Sequence, residues 1–133
     1  MKSYYVYIVT NPNRRVLYTG VTHHLERRIV EHYVSRGKRG SFAGKYYCYN
    51  LLFFEEYSSI SDAIRNEKLI KRKKRAWKED LIRSFNPGMK FLNHQVLGAW
   101  PPDEELIRFL GFDHTVPRWE RSVKKTKHPE RAK

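Results

Sequence analysis

Two short runs of strand-forming residues stand close together near the start of the chain, and they constrain everything that follows. Tyr4 to Thr10 is built largely of Tyr, Val and Ile, Val16 to Thr19 is a second such run, and Asn11-Pro12-Asn13-Arg14 lies between them. Aromatic and β-branched residues suit a pleated, half-buried surface, and the Asn-Pro-Asn cluster is a turn signal. The pattern predicts an antiparallel hairpin that ends at Gly20. Side chains two residues apart share a face of a sheet, so Tyr7 and Tyr18 can present their hydroxyls on one side.

The remaining periodicities supply the partners of that hairpin. Leu25, Ile29 and Tyr33 recur at helical spacing and predict a helix from about His23 to Val34, capped by Thr22 or His23. Ser35 to Lys45 is rich in Gly, Lys and Arg and reads as a surface loop. Tyr46 to Tyr57 reads as a third strand, best defined between Leu51 and Glu56. Ser58, Ser59 and Ser61 offer helix starts, and Ala63 to Phe85 is helical. So long a run in so small a domain predicts a break near Arg72 to Lys74. Asn86-Pro87-Gly88 stops it. The order strand, strand, helix, strand, helix, helix specifies an α/β domain: a three-stranded, antiparallel-type sheet flanked by helices, over residues 1–90. Residues 91–112 read as a short extension with a helix between Pro101 and Leu110, stopped by Gly111, and residues 113–133 as a basic tail expected to be disordered.

Composition narrows the function. Lys and Arg number 27 against 14 acidic residues, and a net charge of +13 favours a polyanionic partner. Charge and fold cues together point to nucleic acid. A single cysteine, Cys48, excludes an intrachain disulfide and a cysteine-based zinc site. The apolar start from Tyr4 to Val9 is too short for a signal peptide and nothing approaches a membrane span, so no membrane partner and a cytoplasmic location are expected.

Five side chains form a chemically coherent set. Arg28 lies three residues after Leu25 and four before His32, so Arg28 and His32 share a helix face along the apolar stripe. Glu67, three residues from Ile64 and from Ile70, falls within the stripe of a later helix, where a carboxylate is costly unless a cation or metal partners it. With Tyr7 and Tyr18 these residues supply what phosphodiester hydrolysis needs. A guanidinium can bind two phosphoryl oxygens at once. A carboxylate can hold a divalent ion that stabilises the leaving oxygen. A tyrosine, if nearby cations pull its pKa down from roughly 10, or His32, can take the proton of the attacking water.

Taken in order, Tyr5-Val6-Tyr7, Tyr18-Thr19-Gly20, Leu25-Glu26-Arg27-Arg28-Ile29 with His32, Ala63-Ile64-Arg65-Asn66-Glu67 and Asn86-Pro87 resemble a GIY-YIG nuclease domain over roughly residues 3 to 90, closest in kind to the small stand-alone bacterial members. The resemblance implies that Tyr7 and Tyr18 position and activate water, that Arg28 stabilises the transition-state charge, and that Glu67 holds one Mg²⁺ or Mn²⁺. It makes His32 and Asn86 supporting polar groups. Tyr5 and Thr19 replace the motif's first Gly and central Ile, and His23 stands where many members carry a lysine that helps lower a tyrosine pKa. The implied function is a metal-dependent endonuclease on DNA, RNA remaining open as a substrate, with DNA repair or recombination as a setting. The rivals are a non-catalytic nucleic-acid-binding module of the same fold and a nuclease subunit of a larger complex.

One further run bears on substrate binding. Lys68, Lys71, Arg72, Lys73, Lys74, Arg75 and Lys78 follow one another without an intervening acid, and a phosphate backbone would relieve their repulsion. Trp77 within the run is expected in the core. The basic loop from Arg36 to Lys45, with Phe42 and Tyr46, is a second surface able to touch nucleic acid.

Overall fold

The central strand of the sheet is β1, Tyr4–Thr10, because its Val6 to Thr10 stretch is buried on both faces. A computed structural model describes residues 2–112, and the basic tail lies outside them. Strand β2, Leu17–Thr22, pairs antiparallel with β1 on one side, and β3, Asn50–Tyr57, pairs antiparallel on the other, giving the order β2-β1-β3. The hairpin runs two residues further than expected: Gly20 is not its end but the cross-strand partner of Tyr7.

Each face of β1 organises its own core. Tyr7 and Val9 pack with Leu25 and Ile29 of helix α1, Leu25–Val34, together with Leu51 and Leu92. Val6 and Ile8 pack with Ala63 and Ile70 of α3, Ile60–Arg72, and with Ile82 of α4, Arg75–Phe85. The register with β3 slips between Ile8 and Val9, so Leu52 is left opposite neither and joins Phe53 in the second core.

The helix signals resolve with small shifts. The cap of α1 is His24, one residue beyond the expected pair: its Nδ1 accepts from the Arg27 amide at 3.3 Å, while Thr22 Oγ1 accepts from the His24 amide. Ser59 caps α3 by accepting from the Asp62 amide. The long helical run does break, with Lys73 and Lys74 both extended between α3 and α4. The expected loop after α1 contains a four-residue helix, α2, Phe42–Lys45, capped by Ser41. It is held tightly: the Gly37 amide donates to the Gly44 carbonyl, and a Cβ at Gly44 would lie 2.6 Å from the Lys38 carbonyl oxygen and 2.8 Å from that of Ser35.

Two short helices follow, α5 (Asn93–Leu97) and α6 (Glu104–Phe109), the latter capped by Asp103. Asn93 fixes α5 to β3, accepting from the Leu51 amide and donating to the Tyr49 carbonyl. Among the described residues no helix is long and apolar enough to cross a membrane.

Candidate active site

Tyr7 is the hub of the first core and also of a polar cluster. Its side chain is 0% exposed, yet its hydroxyl is doubly engaged. Leu25 and Ile29 seat α1 on the sheet, which turns Arg28 and His32 of the same helix toward β1. Arg28 Nε donates to the Tyr7 oxygen at 3.1 Å, and His32 Nε2 lies 2.8 Å from the same oxygen. A guanidinium only donates, so the tyrosine's own proton is available to His32. Arg28 Nη1 also donates to Glu31 Oε1 at 2.8 Å, which fixes the plane of the guanidinium.

Burial sets the charge states. It drives the Tyr7 pKa far above the ordinary tyrosine value, and the opposing pull of the Arg28 cation is too small to reverse this. Burial, with Arg28 adding to it, pushes His32 down to about 3. Tyr7 and His32 are therefore a neutral pair at neutral pH, and the cation expected to acidify a tyrosine is outweighed at Tyr7. A histidine whose pKa is lowered by folding destabilises the fold as it is forced to protonate. Stability that His32 confers above its unfolded pKa of about 6.5 is lost as pH falls toward 3, by roughly 1 kcal/mol per pH unit. Urea melts between pH 7 and 4 should show a smaller loss in His32→Gln than in the wild type, and equal losses would disprove this account.

Tyr18 lies on the same face of the hairpin, as the period-two reading requires. Its ring is 6.4 Å from that of Tyr7 and meets the His32 ring edge-on at 5.5 Å. Unlike Tyr7 it is partly exposed, because β2 is an edge strand. It opens into a cleft of about 380 Å³ whose walls include Arg28, Glu31, His32, Lys38 and Ser41. Glu67 comes from α3, on the opposite face of the sheet. It is nearly buried and pairs with Lys71 at 2.7 Å; the Lys71 ammonium in turn lies 5.9 Å from the centre of the Tyr18 ring. A continuous chain of contacts thus runs from Arg28 through Tyr7, His32, Tyr18 and Lys71 to Glu67.

The match to known proteins decides what kind of chain carries this cluster. The family model for the GIY-YIG catalytic domain matches residues 3–80, more than half of the chain. The chain belongs to the GIY-YIG nuclease superfamily. A solved relative is the UPF0213 protein BH0048 from Bacillus halodurans, determined by solution NMR. It is 30% identical over 60% of this chain and 82% of its own, with a TM-score of 0.39. No curated protein matches. Membership in a nuclease family implies a nucleic-acid substrate, and GIY-YIG nucleases are generally dependent on a divalent metal.

Within this GIY-YIG domain the predicted residues do not all converge. Tyr7, Tyr18, Arg28, His32 and Glu67 lie along the contact chain just described. His23 lies outside that chain: it is exposed just before α1 and lines a second cleft of about 280 Å³ that shares Arg28 and Glu31 with the first. Asn86 caps α4, and its amide is spent on the backbone, donating to the Leu52 and Lys90 carbonyls and accepting from the Lys90 amide. That is a structural duty away from the cluster.

The basic run also divides. Lys71 faces the site. Arg75 donates to the Arg14 and Arg15 carbonyls of the hairpin turn and pairs with Glu79, so it braces the fold. Lys68, Arg72, Lys73 and Lys74 are exposed on α3 and the α3–α4 junction, and Lys78 of α4 is half-buried. Trp77 is not core: it is 38% exposed beneath the Lys73 ammonium, since α4 turns Ile82 inward and Trp77 falls about 140° away from it round the helix. Glu31 was missed, although its i,i+3 spacing from Arg28 was a readable sign. Phe42, expected in a basic loop able to touch nucleic acid, is brought against Tyr18 by a short helix that the loop reading did not contain.

Proposed function

We propose that this chain is a divalent-metal-dependent endonuclease that hydrolyses DNA phosphodiesters, with the attacking water delivered in the cleft between Tyr18 and Arg28. The observation that carries the proposal is the Arg28 guanidinium, immobilised by Tyr7 and Glu31 while facing that cleft. A fixed guanidinium aimed at developing charge needs no reorganisation during reaction, which is the main source of such catalysis. Tyr7 acts from behind, orienting Arg28 through a hydroxyl that no substrate reaches. His32 holds the Tyr7 proton in place. Tyr18, the partly exposed hydroxyl, is the group that hydrogen-bonds the attacking water.

Glu67 fits the role of metal carboxylate. Among the described residues no three His, Cys, Asp or Glu side chains gather to cage an ion. Mg²⁺ does not require a cage: it keeps several waters and binds through one or two carboxylates plus substrate phosphate. A lone, nearly buried Glu67 linked to Tyr18 through Lys71 is compatible with that description, and Lys71 balances its charge. The ion, when bound, supplies charge neutralisation at the leaving oxygen. Lys71 would then be displaced toward the incoming phosphate.

Supercoiled plasmid incubated with the purified protein should be nicked in Mg²⁺ or Mn²⁺ and remain intact in chelator, and Glu67→Gln should cut at least about 100-fold more slowly. Nicking that is unaffected by chelator would refute the assignment. Salt-sensitive DNA binding with no cutting in either metal would instead favour a non-catalytic binding module.

A further inference from the structure

We infer that Phe42 and Tyr46 form a stacking seat for an unpaired nucleobase next to the reaction centre, so that the strand to be cut is bound with at least one base out of the duplex. The inference rests on the nuclease reading for its position, but not for its chemistry. Phe42 is 49% exposed and Tyr46 39%, although both belong to a segment that is firmly held. The Phe42 ring lies nearly parallel to the Tyr18 ring, 6.1 Å between centres and 24° between planes, and touches Tyr46 at 4.8 Å. An aromatic ladder therefore leads outward from Tyr18, the inner tyrosine of the cleft, to open solvent.

Exposed aromatic rings on a short helix are costly to leave in water, and among the described residues this pair stays open to solvent. The fold nonetheless fixes their position. Ser41 caps α2, the Gly44 backbone is pressed against the Ser35 and Lys38 carbonyls, and the Cys48 amide donates to the Ala43 carbonyl. A pre-set aromatic surface loses little entropy when a flat ring is laid on it.

The surroundings choose the occupant. The Lys45 ammonium lies 5.2 Å from the Tyr46 ring centre, and Lys38 and Arg28 line the adjoining cleft. Aromatic rings beside cations suit a ligand that is flat and attached to phosphates, which is how single strands are held without sequence readout. A base inside a duplex has both faces covered by its neighbours and cannot use the seat. A base in a single strand, a flap, or a splayed junction can.

The test is binding in the presence of chelator, so that cutting does not enter it. Oligonucleotides of one sequence, single-stranded or duplex and carrying 2-aminopurine, are titrated with the wild type, Phe42→Ala, Phe42→Tyr and Tyr46→Ala. The wild type should bind the single strand about tenfold more tightly than the duplex, with a change in 2-aminopurine emission, a preference within the range for one stacked base. Phe42→Ala should erase that preference and Phe42→Tyr should keep it; if Phe42→Ala does not fold, Tyr46→Ala serves in its place. Equal wild-type affinity for both forms, or a preference that survives both alanine variants, overturns the inference. Preference for single strands in a chain that never nicks DNA would fault the nuclease reading alone, and efficient nicking with no such preference would fault the stacking seat alone.

Discussion

Arg28→Ala should slow DNA nicking by about three orders of magnitude, measured as a single-turnover rate at saturating Mg²⁺, the upper part of the range for losing one preorganised charge-stabilising donor. Binding should suffer far less, because a chain of net charge +13 keeps many other cations to attract phosphate. The informative companion is Arg28→Lys. It keeps the positive charge, yet a lysine has no Nε to donate to Tyr7 while also pairing with Glu31, and it cannot grip two phosphoryl oxygens in one plane. It should therefore recover little, remaining about 100-fold below the wild type. If Arg28→Lys cut as fast as the wild type, charge alone would be at work and the fixed geometry would be irrelevant. If Arg28→Ala lost less than about tenfold, the reaction centre would lie elsewhere.

Gly20→Ala should damage fold and activity together. A Cβ at that position would lie 2.5 Å from the Tyr7 hydroxyl oxygen and 2.6 Å from Cζ, closer than real contacts allow. The ring cannot swing aside, since it is fully buried and its hydroxyl is held by Arg28 and His32. Overpacking of this kind costs about 1–3 kcal/mol, or a fall in melting temperature of about 5–20 °C for a domain of this size. Displacing the hydroxyl would also release Arg28, so nicking should drop below detection even where the variant is still folded. Gly40→Ala is the thermal control. A methyl there meets only the tip of Lys38 at 4.0 Å, and its melting should match the wild type. A Gly20→Ala protein that melts and cuts normally would show that the strands can part without consequence.

What the sequence made legible was local. Alternation along the hairpin placed Tyr7 and Tyr18 on one face, and the i,i+4 relation placed Arg28 and His32 on one side of α1. Both hold because they depend only on the geometry of a single element or a single turn. The unequal burial of the two tyrosines was hidden, since it follows from strand order: β3 pairs with β1 and leaves β2 at the edge, a contact between residues over forty positions apart. Glu67 was read as lying between Ile64 and Ile70, but the buried line on α3 is Ala63, Glu67 and Ile70, with Ile64 exposed. The cation that partners Glu67 is Lys71, one turn further along the same helix. Arg75 could not be told from its neighbours because its partners are backbone carbonyls of a turn sixty residues earlier. The seating of Phe42 against Tyr18 was hidden for a related reason: a four-residue helix leaves no periodicity to read.

The contact chain from Arg28 to Glu67 starts on α1, on one face of the sheet, and ends on α3, on the other. The cluster is therefore a seam between two layers rather than a pocket within one. A phosphate gripped at Arg28 and an ion gripped at Glu67 would act as a rivet through that seam, so the loaded protein should be mechanically tighter than the empty one. Conversely, any fluctuation that lifts α3 from the sheet would switch the chemistry off while the Tyr7, Arg28 and His32 trio stayed assembled. In such a design the substrate would complete the very architecture that acts on it.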